Sequence, residues 1–311
     1  MKRRLGRHLA GWLIMLPGLA LFFFYVWFPL IQNIVLSFFN SNGTFNIVGA
    51  DFVGWDNYAE LFDSTTDIGG QFQIAFGNTF KYLGWSLLIG FILPLIIGLL
   101  LSEVVHLKAL FRIGIYFPAV LAGLTVAILF TYLFDPGQNS MLNSLLQFLG
   151  FGPSNFLSDS NLTIPLIVVS MTWKGAGATA LIYLASFQTI DRSLYEAARI
   201  DGCGVFKRIW HITIPQILPT ISTLFILQVI SVMQVIYEPL VMTNGGEASG
   251  YASLSLLLLS YNIAWGETVP NRFNLASANS VILFLIILAI TGVYFAIRGF
   301  VQRSRERVKK T

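Results

Sequence analysis

Residues 162–187, LTIPLIVVSMTWKGAGATALIYLASF, and 217–242, ILPTISTLFILQVISVMQVIYEPLVM, flank the charged segment QTIDRSLYEAARIDGCGVFKRIWHITIPQ at 188–216. A hydrocarbon core of about 30 Å takes roughly 20 residues of helix, so the outer two stretches read as membrane spans and the middle one as the loop joining them. Four more runs of that length lie outward from this pair, at 9–39, 80–101, 113–134 and 275–300. The whole chain agrees. Charged residues are 11% of its 311 positions and apolar ones 55%, with a mean hydropathy of +0.72; soluble domains carry about a quarter charged residues. Glycine has no collagen period, and the single cysteine cannot pair within the chain, so fibrous and disulfide-stapled classes are excluded. The expected fold is an all-α polytopic membrane protein of six transmembrane helices. The first run follows the basic start MKRRLGR but is too long for a signal peptide and ends in no small-residue cleavage site, so it reads as an uncleaved helix, kinked near Pro17 and Pro29.

Cationic loops are retained on the cytoplasmic side of a membrane. Lysines and arginines gather in 1–8, in 102–112 (Lys108, Arg112), in 188–216 (Arg192, Arg199, Lys207, Arg208) and from Arg298 onward, whereas the alternate loops 40–79, 135–161 and 243–274 hold only Arg272. Both termini are therefore expected in the cytoplasm. Residues 1–8 and 301–311 form short basic tails around a six-helix transmembrane domain at 9–300. The outer loop 40–79 contains Asp51, Asp56, Glu60, Asp63 and Asp67 with Trp55, Tyr58, Phe62 and Phe72, which makes either a docking surface or a solvated cap with a small core.

Several chemistries lack their residues. There is no glycine-rich loop ending in Lys-Ser or Lys-Thr to bind nucleotide. Gly175-Ala-Gly177-Ala-Thr-Ala180 imitates a dinucleotide fingerprint but sits within a span and has no acid about 20 residues on to hold a ribose; its small residues instead suit close helix packing or a break facing a cavity. His8, His106, His211 and Cys203 have no metal-ligand spacing, and no serine lies in a nucleophile elbow. The span interiors hold no carboxylate of the kind proton- and sodium-coupled carriers place on the ion path. Their one central charge is Lys174, which either meets substrate, faces a wet cavity or pairs with backbone. On the fifth span Gln228, Ser231 and Gln234 share a broad arc, as helix glue or as ligand lining.

Within 188–216, residues to Ile200 suit a short helix capped by Asp191 or Ser193; Gly202 and Gly204 break it, and a second helix runs to Pro215. An amphipathic helix pair on the cytoplasmic face either fills a groove in a partner or lies on the interface.

This segment resembles the EAA loop of permease subunits in binding-protein-dependent ABC importers. Glu196, Ala197, Ala198, Gly202, Ile212 and Pro215 stand at that pattern's spacings, with Ile214 for leucine and Cys203 for a common alanine. The resemblance extends to the carbohydrate-uptake, maltose-type branch through Ser37-Phe38, Phe52-Val-Gly54-Trp-Asp-Asn57-Tyr58, Asn78-Thr79, Phe111-Arg112, Phe117-Pro118, Trp173-Lys174-Gly175 and Thr243-Asn-Gly245-Gly246, where Glu247 replaces the usual proline.

The resemblance implies a subunit of the bacterial or archaeal inner membrane that performs no chemistry and moves a sugar or oligosaccharide by alternating access. Its implied partners are a second permease subunit, two ATPase subunits that bind ATP and Mg, and an extracellular solute-binding protein; no nucleic acid is involved, and the chain itself carries no cofactor. Glu196, Ala197, Ala198, Asp201, Gly202, Ile212 and Pro215 are the implied ATPase-coupling residues. Gly175, Gln228 and Ser231, with Trp173, Lys174 and Gln234, are the implied substrate-pathway residues. The alternatives are an ion-coupled secondary carrier and a membrane anchor for a peripheral ATPase.

Overall fold

The computed structural model describes residues 2–40, 43–103, 108–266 and 272–308. Five helices are long and apolar enough to cross a membrane: Trp12–Leu36, Asp67–Ser102, Thr163–Phe187, Val205–Met242 and Phe273–Phe300. A sixth span is a broken pair, Ala109–Val120 and Gly123–Leu133, bent by 95°. The chain is therefore a multi-pass helical membrane protein. It divides into two compact units, Met1–Gly69 with Ser260–Leu285, and Gly70–Leu259 with Ile286–Thr311.

Prolines shape the spans in a regular way. A proline has no N–H for the carbonyl four residues earlier, and its ring collides with that carbonyl. The chain answers by widening the turn into π-helix at Phe23–Trp27, Ser86–Phe91 and Ile209–Thr213. Each of these turns contains the residue four before a proline: Tyr25 before Pro29, Gly90 before Pro94 and His211 before Pro215. The helix passes through Pro17 and adjusts at Pro29, so only the second proposed kink is a departure from α-helix. In the third span the expected single helix over 113–134 is broken instead. Pro118 gives no bond to Gly114, the Leu121 N–H closes a turn on the Pro118 carbonyl at 3.2 Å, and Ala122 is extended (φ −62°, ψ 141°) before the second helix starts.

In the first unit, the end of the first span meets a two-residue hairpin that pairs Phe39 with Phe52 and Asn40 with Asp51, followed by helix Asp56–Phe62. Leu36, Tyr58, Leu61 and Leu275 are buried there, so the outer loop has the small core that was one of its two readings. Its fastener is Asn57, 4% exposed. The Asn57 Nδ2 donates to the carbonyls of Ser37 (2.8 Å) and Phe39 (3.1 Å), while its Oδ1 accepts from Asn274 Nδ2 at 2.7 Å. Beside it Arg272, the single base in 40–79, 135–161 and 243–274, grips both oxygens of Glu60 at 2.6 and 2.7 Å. Burial pushes the Tyr58 phenol upward, partly offset by its 2.7 Å hydrogen bond with Ser37. Replacing Asn57 with alanine strands two carbonyls and the Asn274 amide, so N57A is expected to destabilise the outer segment by about 3 kcal/mol. Limited proteolysis of 40–66 in membranes will read this as faster cleavage; an unchanged rate would contradict the assignment.

In the second unit, Tyr82, Val126, Phe130, Phe134, Ile167 and Val232 belong to one buried cluster, and Tyr183, Ile190 and Ile217 to another. Residues 243–274, expected as loop, include the apolar helix Leu256–Trp265, too short to span. Its start is held within the unit by Leu256 N–H on Thr79 Oγ1 (3.0 Å) and by Ser255 Oγ, which donates to the Val235 carbonyl (2.7 Å) and accepts from Leu258 N–H (3.1 Å).

Candidate coupling segment and pathway residues

The charged segment folds as a capped helix, a glycine turn and a second helix that does not stop. Asp191 is the N-cap of helix Arg192–Ile200, its carboxylate accepting from Ser193 N–H at 2.9 Å. The backbone and side-chain hydrogen bonds from Ser193 hold the Asp191 carboxyl below its usual range. A lowered carboxyl contributes stability above its ordinary titration and loses that contribution as pH falls through the lowered value, so the cap is intact at neutral pH. At the other end Gly202 takes φ +71°, with its N–H on the Arg199 carbonyl (3.1 Å) and the Cys203 N–H on the Ala198 carbonyl (2.8 Å). These two bonds are the Schellman stop, and the left-handed residue they need is the one L side chains resist. A side chain at Gly202 would meet no atom within 4 Å, so backbone conformation alone selects glycine there.

Gly204 caps the next helix at Val205. That helix was expected to end at Pro215; the π-turn at Ile209–Thr213 absorbs the proline, and helix resumes over Ile214–Met233. The second helix of the segment is thus continuous with the fifth span, while the first joins it through the glycine turn. Two hydroxyl pairs brace the segment: Tyr195 Oη with Thr213 Oγ1 at 2.9 Å joins its two helices, and Ser186 Oγ with Thr220 Oγ1 at 3.1 Å joins the fourth and fifth spans that flank it. Ala198 is buried and Ile212 half-buried, anchoring the element, whereas Glu196, Ala197, Asp201 and Pro215 are exposed. Large apolar side chains project from it uncovered: Ile200 at 87%, Phe206 at 81% and Trp210 at 68% exposure. Apolar side chains clustered beside charged ones in this way are a feature of interaction surfaces. Sequence reasoning picked out Glu196, Ala197, Ala198, Asp201, Gly202, Ile212 and Pro215 in this element and passed over these three; the i,i+4 spacing of Phe206 and Trp210 was the available signal.

The pathway residues are dispersed. Gln228 Nε2 donates to Ser86 Oγ at 2.6 Å, and a methyl placed on Gly90 would stand 3.0 Å from Gln228 Nε2 and 3.2 Å from Thr172 Oγ1. The second, fourth and fifth spans therefore meet at a polar knot made of Ser86, Gly90, Thr172 and Gln228. Gln228 acts there as helix glue, one of its two readings. Ser86 and Thr172 were missed, since a lone hydroxyl in an apolar run carries no sign of its partner. Ser231 is exposed, as is Gln234, which lies where the fifth helix breaks before Tyr237–Met242. Trp173 packs edge-on to Phe130 with ring centres 5.5 Å apart and remains 40% exposed. Lys174 is half-buried and within electrostatic reach of Glu238.

The two glycines of the fourth span differ. Gly175 faces open space, whereas a Cβ on Gly177 would run into the Ile115 carbonyl oxygen and stand 2.7 Å from its carbon and 3.1 Å from Tyr116 Cα. Gly177 is where the third span crosses the fourth backbone to backbone. Among the described residues no group of three metal-ligating side chains occurs.

Residues 90–310 match the family described as the binding-protein-dependent transport system inner membrane component. The multiple sugar-binding transport system permease protein MsmF of Streptococcus mutans is 32% identical over 280 residues, covering 89% of this chain and 91% of that protein. The arabinooligosaccharides transport system permease protein AraP of Bacillus subtilis is 27% identical, covering 93% and 88%. Among solved structures, a chain of the bacterial alginate ABC transporter in complex with its pentasaccharide-bound periplasmic protein superposes with a TM-score of 0.80 at 24% identity, over 94% of this chain and 95% of that one; this likeness bears on the fold.

Proposed function

The chain belongs to the binding-protein-dependent transport system inner membrane components, and from that premise we propose that it is a permease subunit of an ATP-driven importer of a sugar or oligosaccharide. It pairs with a second permease subunit, and the pair docks two ATPase subunits on the cytoplasmic face, one of them on this chain's 188–216 segment; both termini of the chain lie on that side. ATP and Mg reside on those ATPases. The likeness to permeases named for multiple sugars and arabinooligosaccharides supports a carbohydrate cargo. One observation carries the coupling role: in the 188–216 segment helix Arg192–Ile200 is capped at both ends, the helix that follows its glycine turn is continuous with the fifth span, and Ile200, Phe206 and Trp210 stand uncovered on them.

Mechanically, closure of an ATPase dimer displaces a docked tongue. Because helix runs without interruption from Val205 through the π-turn to Met233, displacement at the tongue turns the fifth span instead of dissipating in a loop. The knot of Gln228, Ser86 and Thr172 passes the movement to the second and fourth spans. Loading occurs outside, from an extracellular binding protein.

Proteoliposomes holding the chain with its second permease subunit and ATPases, supplied with loaded binding protein, are expected to accumulate labelled sugar only with internal ATP. Accumulation under a proton gradient without ATP would instead favour a secondary carrier, and ATPase attachment without sugar movement would favour an anchor.

A further inference from the structure

A cavity of about 770 Å³ opens behind the coupling helix, where the second and fourth spans end and the fifth begins. Its basic lining is four arginines from three places in the chain: Arg112 at the start of the third span, Arg192 and Arg199 on the coupling helix, and Arg208 at the start of the fifth. Arg192 and Arg199 lie seven residues apart and so share a helix face. Glu196 shares that face and is the single acid among the lining residues. Leu99, Leu184, Phe187 and Ile209 contribute apolar surface. Among the described residues none of the four guanidinium groups has an ion pair or hydrogen bond.

Four cations around one partly enclosed space repel one another, and a single carboxylate leaves three charges uncompensated. The arrangement calls for an anion, and guanidinium forks match phosphate oxygens in pairs. A soluble phosphate would satisfy the arginines and leave the apolar wall wet. A phosphate ester on an acyl chain satisfies both, and the cavity lies at span ends, where such a group sits.

We infer that this arginine-lined cavity binds the headgroup phosphate of an anionic phospholipid, holding it between the coupling helix and the ends of the spans. The inference rests on the proposed orientation only for the leaflet, the cytoplasmic one, and not on the identity of the sugar. A lipid so held ties Arg192 and Arg199 on the moving tongue to Arg112 and Arg208 on the spans, so anionic lipid content tunes how firmly the tongue is seated.

The test uses the assembled importer, exchanged into nanodiscs of phosphatidylglycerol or phosphatidylcholine and examined by native mass spectrometry after mild delipidation. Wild type is expected to keep phosphatidylglycerol and lose phosphatidylcholine. Arg112→Gln with Arg208→Gln is expected to weaken retention about 30-fold, at roughly 1 kcal/mol for each cation. Lys207→Gln, which removes one charge as Arg112→Gln alone does but on an exposed neighbour outside the cavity, should leave retention unchanged. Should the double variant fail to assemble, Arg112→Gln alone is expected to give about a fivefold loss. Equal retention in Arg112→Gln and wild type, equal retention of the two lipids, displacement by millimolar inorganic phosphate, or loss of the lipid whenever ATPase subunits are attached would each overturn the inference. The sugar-uptake assay is a separate readout, so failure of either proposal is visible without the other.

Discussion

Gly177→Val will leave little folded protein in the membrane. The added Cβ overlaps the Ile115 carbonyl, and the obstructing atoms at 2.7 and 3.1 Å belong to backbone of the neighbouring helix, not to a side chain that can swing away. The third and fourth spans must separate over the length of their contact, opening space beside Ala176 and Ala180, both buried. Overpacking of side chains costs about 1–3 kcal/mol, and a backbone-to-backbone crossing has fewer ways to relax, so a loss of 4 kcal/mol or more is expected. Detergent-solubilised variant will show a collapsed yield or a broad, early-eluting peak by size exclusion. Gly175→Ala, two residues away and facing open space, is the matched control and should behave as wild type. Normal yield of the valine variant would mean that the two helices do not cross at this point.

Glu196→Lys is expected to abolish uptake while membrane insertion stays normal. Glu196 is exposed on a helix whose caps, Asp191 and Gly202, are untouched by the change, so the chain folds. What is lost is the one carboxylate that the coupling helix offers a cationic partner beside Arg192 and Arg199. Removing a charge-assisted bond at an interface costs about 2–5 kcal/mol, and reversing the charge adds repulsion, so ATPase attachment should weaken by at least a hundredfold. Co-purification of tagged ATPase subunits measures this directly. Gly202→Asp should be milder: no atom obstructs it, and aspartate visits the left-handed region more readily than most residues, so about 1 kcal/mol of strain is all the geometry demands. Wild-type attachment in Glu196→Lys would remove this residue from the interface.

The spans were legible because twenty-residue apolar runs leave few alternatives in lipid, and the coupling helix because its start and stop chemistry is local. Asp191 and Gly202 act through neighbours one to four residues away, so sequence alone places both ends. The family resemblance read from Glu196, Ala197, Ala198, Gly202, Ile212 and Pro215 agrees with the match over 90–310. What escaped reading depends on distant partners. Whether Arg272 pairs with Glu60, or Gln228 with Ser86, is decided by folding between residues 212 and 142 positions apart. The break after Pro118 escaped because a proline can be absorbed, as at Pro17 and Pro215, or can end a helix, and neighbouring helices choose between those outcomes. The short helix Leu256–Trp265 escaped because a largely apolar stretch of ten residues suits a loop-borne helix and a buried segment equally.

The central claim is that the 188–216 tongue meets an ATPase in the cytoplasm and carries its movement into the fifth span. Ile200→Cys in a Cys203→Ser background places one thiol on the tongue's most exposed apolar position. In the assembled importer working on ATP, a short cross-linker is expected to join that thiol to an ATPase subunit and halt sugar uptake, with reduction of the link restoring it. Uptake continuing while the thiol stays unlinked, or labelling of it by an impermeant reagent from outside the cell, would contradict the account.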